Sequence, residues 1–194
     1  LFFPQVNEMY PKDGGITIRA GAQANVLCGA SRPGHFDGVL KVVTKLFHLV
    51  EPTRVYFGQK DAQQLAIIET LVRDYNFPLE VRRVPTVRES DGLAKSSRNV
   101  FLSEQERQEA PSIHQAIQLG LEHYKEHQNV DEAKKVTKQH IENSTSGNID
   151  YVELLSYPDL TNDISSNSSV ILAVAVFFEK ARLIDNMMLN NKGE

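Results

Sequence analysis

Two short polar segments combine residue types that could hold a polyphosphate. Gly58-Gln59-Lys60-Asp61 directly follows the apolar run Val55-Tyr56-Phe57, and Lys95-Ser96-Ser97-Arg98-Asn99 follows Asp91-Gly92. Glycine lets a backbone approach a ligand closely. A helix capped at Asp61 would offer free amide donors and a partial positive charge, to which Lys60 adds a full one. The second segment puts two cations, two hydroxyls and several backbone amides within four residues. Arg98 suits phosphate through its bidentate fork, Lys95 as a point charge. Each segment also has an ordinary reading. Asp61-x-x-Gln64 fits a capping box beside a solvated lysine, and Lys95 to Asn99 fits a polar loop ahead of a capped helix. A third segment, Arg32-Pro33-Gly34-His35-Phe36, is a Pro-Gly turn feeding a helix, and could contact an anion or a substrate. A lone histidine such as His35 is more often structural.

These segments need elements to position them. Val39, Val42, Val43, Leu46 and Val50 recur at helical spacing, and Glu51-Pro52 ends that helix. Arg54 to Phe57 reads as a buried strand. A second helix carries Leu65, Ile68, Leu71, Val72 and Tyr75 on one face and breaks at Asn76-Phe77-Pro78; Leu79 to Val84 is another strand. The order helix–strand–helix–strand predicts a parallel sheet with crossover helices. In such sheets ligands bind beyond the carboxyl ends of the strands, where Gly58 to Asp61 would stand. Upstream, residues 1–36 carry turn signals and one possible strand, Ile16 to Arg19.

After Asn99 the pattern changes. Ser103-x-x-Glu106 is a capping box, opening a helix predicted to run to about His127 with Ile113, Ile117, Leu121 and Tyr124 as its stripe. A helix over Asp131 to Asn143, a loop over Ser144 to Asn148, and strands at Ile149–Leu154, Val170–Phe178 and Ala181–Ile184 follow. Thr161 to Ser169 reads as an exposed loop. The expected fold class is α/β: a Rossmann-like nucleotide-binding part over residues 1–95 and a small α+β domain over 96–194.

Composition narrows the function classes. The 194 residues are 41% hydrophobic and 24% charged, ordinary for a globular protein. A net charge of −4 argues against a general nucleic-acid binder, yet leaves a local cationic site for a small anion open. The single Cys28 cannot form an internal disulfide, which points to a reducing, cytoplasmic setting. No run approaches the roughly 20 apolar residues of a bilayer span, so no membrane partner is expected. The start at Leu1 shows neither a signal-peptide pattern nor an initiating methionine, and reads as part-way through a longer gene product.

Taken together, three series resemble the pantoate–β-alanine ligase family: Arg32-Pro33-Gly34-His35-Phe36-Asp37-Gly38-Val39, Phe57-Gly58-Gln59-Lys60-Asp61-x-Gln63-Gln64-Leu65, and Asp91-Gly92-Leu93-Ala94-Lys95-Ser96-Ser97-Arg98-Asn99. The ending Ala181-Arg182-Leu183-Ile184-Asp185-Asn186 is similar too, so the likeness runs over nearly the whole chain. It implies a nucleotidyltransferase with HIGH and KMSKS-like signatures. Such an enzyme joins pantoate to β-alanine with ATP and Mg2+, through a pantoyl adenylate, releasing pyrophosphate and AMP. The resemblance also implies a homodimer.

Carried over by motif, Gly58, Gln59, Lys60, Asp61, Val87, Lys95, Ser96, Ser97 and Arg98 would bind ATP. Gly58 and Asp61 would hold the ribose, the Val87 backbone would meet the adenine, and Lys60 and Arg98 would act catalytically on the phosphates. Gln64 would bind pantoate, and Arg32 would line the phosphate or β-alanine side. The family usually has Glu where this chain has Gln59, and Met where it has Lys95. The family's HIGH-type histidine segment is absent from these residues; His35 belongs to a different motif. The parallel sheet is therefore expected to be N-terminally incomplete, and the 194 residues alone to be inactive in ATP–pyrophosphate exchange. Two other readings stay open: another adenylate-forming ligase of the same superfamily, or a non-catalytic nucleotide-binding module.

Overall fold

The computed structural model describes residues 2–12, 15–165 and 169–190. Its first part runs α1 (Val6–Met9), α2 (Leu27–Ala30), α3 (His35–Val50), β1 (Arg54–Gly58), α4 (Ala62–Asp74) and β2 (Glu80–Val84). The second part runs α5 (Glu104–Glu109), α6 (Ser112–His127), α7 (Val130–Ser144), β3 (Asn148–Tyr157), β4 (Ser169–Phe177) and β5 (Arg182–Leu189). Ile16 to Arg19, expected as a strand, forms no strand or helix.

β1 and β2 pair in parallel, from Arg54↔Glu80 to Gly58↔Val84, as helix–strand–helix–strand order requires. The strand is not buried as expected. Val55 and Phe57 turn toward the helices while Tyr56 on the opposite face is 66% exposed, the period-2 consequence of a sheet with one covered face. The stripe of α3 is also rotated from the expected one. Phe36, Leu40, Val43 and Phe47 are buried, Val39, Val42 and Leu46 flank them, and Val50 lies outside. The helix begins at His35, so Phe36 in its first turn aligns with residues one and two turns on.

α4 is buried more broadly than its sequence stripe suggested. Ile67, Ile68 and Leu71 pack against α3, while Ala62 and Ala66 pack against Leu155, Tyr157, Ile171 and Ala173 of the second sheet. Tyr75, expected on the buried face, is exposed. The second apolar cluster therefore joins residues on both sides of position 95.

The second sheet is antiparallel, in the order β3–β4–β5. β4 explains the unbroken apolar run: Val170, Leu172, Val174 and Val176 face α6 and α7, and Ile171 and Ala173 face α4. A strand covered on both faces has no polar side to alternate. The helix predicted from Ser103 to His127 is two helices. The capping box forms as read, with Ser103 and Glu106 bonding each other's backbone amides. Pro111 then lacks the N–H needed to continue the ladder, and the chain restarts at Ser112.

Gly120 marks the closest approach of α6 to its neighbours. A Cβ there would lie 2.0 Å from Thr137 Oγ1 and 2.8 Å from Leu172 Cδ2. Alanine would gain up to about 1 kcal/mol of helix propensity, but overpacking costs about 1–3 kcal/mol and occasionally more. Thr137 cannot swing away freely, being fully buried with Oγ1 bonded to Ala133 O at 2.8 Å. Gly120→Ala is expected to lower stability by about 1–2 kcal/mol on balance, read as an earlier urea midpoint; an unchanged or later midpoint would show that the helices part without cost.

Candidate active site

β1 ends at Gly58 and the chain passes through a single 3-10 turn, Gln59–Asp61, into α4. This is the carboxyl end of a parallel strand, where the fold exposes helix amides. Gly58 has φ −72°, which any residue could adopt, and a Cβ there would meet nothing within 4 Å. The fold itself does not require glycine at this point; open space in front of it suits a ligand. Asp61 occupies the N-cap position of α4, but its side chain makes no capping bond and the Asp61–Gln64 box does not form. Both side chains stay available to the cleft beside them.

That cleft encloses about 240 Å³ and is lined by Arg32, Lys60, Asp61, Gln64 and Arg98, together with Cys28, His35, Tyr151, Arg182, Asp185 and Asn186. Residues separated by up to 66 positions thus converge, and three of the five are cations. Among the described residues, the side chains of Lys60 and Arg98 make no ion pair or hydrogen bond; Arg32 donates from Nη2 to His35 Nδ1 at 3.1 Å. Burial, and then the neighbouring Arg32 charge, hold the His35 imidazole below its usual range. A neutral ring accepting from Arg32 leaves the guanidinium charge uncancelled.

The other predicted ATP-binding residues lie around this cleft rather than on its lining. Arg88 and Ala94 form an antiparallel bridge, and Lys95 donates its backbone N–H to Val87 O at 2.9 Å, so residues 87–95 form a small hairpin. Gly92 turns it with φ +94°. Lys95 is exposed and pairs with Glu89 at 3.5 Å. Ser96 Oγ accepts from Arg98 N at 3.2 Å, capping the turn Ser97–Phe101 that presents Arg98. Val87 is 60% exposed on the hairpin's outer side, and Ser97 is exposed. Gln59 lies along an adjoining polar groove with Arg83, Arg88 and His114.

Sequence reasoning missed the residues that hold these arms. Gln63, buried, accepts from Gly29 N through Oε1 and donates through Nε2 to Gln23 O at 2.8 Å and Val26 O at 2.7 Å, fastening the segment before Arg32 to α4. A buried glutamine within the apolar α4 pattern was the available signal. Arg88 grips Asp185 in a bidentate pair at 2.6 and 3.0 Å and donates to Gly92 O at 3.1 Å. Asn186 donates to Gln59 O and Lys60 O. Arg182 pairs with Asp150 at 2.6 Å and donates to Cys28 Sγ at 3.4 Å. The Arg88–Asp185, Asn186–Gln59, Asn186–Lys60 and Arg182–Cys28 pairings join residues 97 to 154 positions apart, beyond any local pattern.

His114 Nδ1 is buried without a hydrogen bond, 3.7 Å from Asp185 Oδ2. Burial and the Arg88 charge hold its imidazole below the usual 6.5, with Asp185 opposing them. The unfolded chain therefore binds the proton first as pH falls. Stability should be complete above about pH 6.5 and decline as pH drops through the lower folded-state value. Unfolding temperatures at pH 8 and pH 5.5 should differ less in His114→Gln than in the parent chain; an equal difference would place the pH dependence elsewhere.

The model of the family described as Pantoate-beta-alanine ligase matches residues 1–188. The chain belongs to that family. A pantothenate synthetase of Lysinibacillus sphaericus (strain C3-41) is 62% identical over 192 residues, which are 99% of this chain and 68% of that protein. The crystal structure of pantothenate synthetase from Thermus thermophilus superposes with a TM-score of 0.84 at 42% identity, covering 95% of this chain and 67% of that one. The chain thus spans about two thirds of the length of these ligases. The Francisella tularensis pantoate-beta-alanine ligase, solved in complex with beta-gamma ATP and β-alanine, matches with a TM-score of 0.68 at 29% identity, covering 94% of this chain and 61% of that one. Both the mixed α/β architecture and the ligase motifs read from the sequence agree with these likenesses. Among the described residues, no helix is long and apolar enough to cross a membrane.

Proposed function

We propose that this chain carries the phosphate-binding and pantoate-binding side of an ATP-dependent pantoate–β-alanine ligase. The observation that supports this best is the convergence of Arg32, Lys60 and Arg98 with Gln64 on one cleft at the α4 N-terminus. In the reaction, a carboxylate oxygen of pantoate attacks the α-phosphorus of ATP and pyrophosphate leaves. The amine of β-alanine then attacks the acyl carbon of the adenylate, and AMP leaves. Negative charge grows on the α-phosphoryl oxygens and the departing pyrophosphate. Lys60 and Arg98, whose side chains make no ion pair or hydrogen bond among the described residues, are suited to meet that charge electrostatically. Gln64, released from any cap, offers an amide to pantoate. Gly58 and Asp61 flank the ribose position, the Val87 backbone the adenine, and Lys95 to Ser97 the outer phosphates, with Arg32 on the phosphate or β-alanine side.

The donor set fits Mg2+ carried in on the triphosphate. Among the described residues no group of three or more His, Cys, Asp or Glu could hold a metal. Mg2+ on nucleotides commonly keeps its waters and takes only one or two carboxylates. Asp61 and Asp185 are the cleft's carboxylates, and Asp185 is taken by Arg88. When bound, the ion would neutralise part of the phosphate charge. The reading further includes a homodimer, which sedimentation equilibrium would test, and a cytoplasmic location.

The deciding experiment is ATP–pyrophosphate exchange by the gene product that carries these residues, with pantoate and other carboxylic acids in turn. Exchange that requires pantoate is the expected result. Exchange with a different acid would favour another adenylating ligase of the superfamily, and ATP binding without exchange a non-catalytic module.

A further inference from the structure

We propose that Asp185 and Asn186, adjacent on β5, are positioning residues that fix the spacing between the two cationic arms of the cleft. The inference rests on the cleft being the phosphate site proposed above. Neighbouring residues of a strand project to opposite faces, so one dipeptide can reach two separate elements. Asn186 spends both amide hydrogens on the turn that carries Lys60, donating to Gln59 O at 3.1 Å and Lys60 O at 2.8 Å. Asp185 reaches the other arm. Its Oδ2 accepts from Arg88 Nη1 at 2.6 Å, and its Oδ1 accepts from Arg88 Nη2 at 3.0 Å and from Asn186 N at 2.8 Å. Arg88 in turn braces the hairpin through Gly92 O and stands opposite Ala94, next to the segment that presents Arg98. Asn99 closes the same segment by donating to Ala94 O at 3.1 Å.

Although both residues line the cleft, the Asp185 carboxylate is taken by Arg88 and the Asn186 backbone N–H, and the amide donors of Asn186 by the Lys60 turn. Both residues are buried, 5% and 7% exposed, and β5 is held along its length by β4. A rigid strand therefore sets where each arm stands. A ligand that bridges the arms, such as a pyrophosphate, would register a shift in either one, because misplacing charged groups by about an ångström costs much of their effect.

The test is calorimetric binding of magnesium pyrophosphate to the gene product that carries these residues. Asn186→Ala should weaken binding about tenfold, the loss of two hydrogen bonds that hold an arm. Asn186→Asp should weaken it further, since a carboxylate would face two carbonyl oxygens. In a Lys60→Ala background, Asn186→Ala should add little, because the group it positions is already gone. Wild-type affinity in Asn186→Ala, or its full loss repeated on top of Lys60→Ala, would overturn the positioning role. A parent chain that binds no pyrophosphate would overturn the cleft reading itself and this inference with it. Urea unfolding of each variant separates a shifted arm from a loosened fold; a binding loss that tracks the loss of folded chain would also overturn the proposal.

Discussion

Lys60→Ala and Arg98→Ala are each expected to slow pantoate-dependent ATP–pyrophosphate exchange by about 10²–10³-fold while leaving the unfolding temperature nearly unchanged. The two halves of this expectation have separate causes. Among the described residues, neither side chain makes an ion pair or hydrogen bond, so removing it orphans no partner; Arg98 is exposed and Lys60 half-buried, and substitutions that break no buried contact usually stay within about 0.5 kcal/mol. Charge aimed at a developing oxyanion or departing pyrophosphate is another matter, because it acts in the transition state more than in the ground state. Exchange at the parental rate in either variant would remove that residue from the reaction. Lys95→Ala gives a useful contrast. Lys95 is already paired with Glu89 on an exposed hairpin, and its removal should cost less than that of Arg98.

Arg88→Ala should act strongly on stability, destabilising the chain by about 3–5 kcal/mol. The Asp185 side chain is only 6% exposed, and Arg88 is its bidentate partner. Removing the arginine leaves a buried carboxylate that burial penalises and that cannot regain water. Arg88→Met combined with Asp185→Leu should lose less than Arg88→Ala alone, since no buried charge is then left unpaired, even though Asn186 N loses its acceptor. Urea midpoints decide both points. A shift in Arg88→Ala no larger than that of an exposed arginine such as Arg73 would mean that water reaches Asp185.

Much of the fold was legible because its signals are local. The parallel pairing of β1 and β2 follows from element order, the Ser103–Glu106 box forms as its spacing requires, and the α6 stripe Ile113, Ile117, Leu121 and Tyr124 is buried as its period dictates. Errors fell where the surroundings decide. Tyr56 and Tyr75 looked like core residues and are exposed, and Phe36, Leu40 and Phe47 displaced the valine stripe of α3. Apolar periodicity on α3 supports two overlapping faces, and only the place of α4 selects between them. Pro111 stood within the predicted long helix and broke it by its missing donor.

The sequence by itself determined which residues can do chemistry here. The types and order of Arg32, the Gly58–Asp61 turn, Gln64 and the Lys95–Arg98 segment suit a polyphosphate and a carboxylate substrate, and their motifs carry the family. Side-chain type sets charge and donor count whatever the fold. Tertiary structure decided which of these groups are free to act. Asp61 and Gln64 could have capped α4 and do not; Lys95 could have faced the cleft and pairs with Glu89 instead. It also decided what holds them, through Gln63, Arg88, Asp185 and Asn186, whose partners are distant in the chain. Spacing along a sequence encodes contacts only within a turn or a few residues of strand. Pairings across 97 or more residues exist only once the sheets and helices have packed.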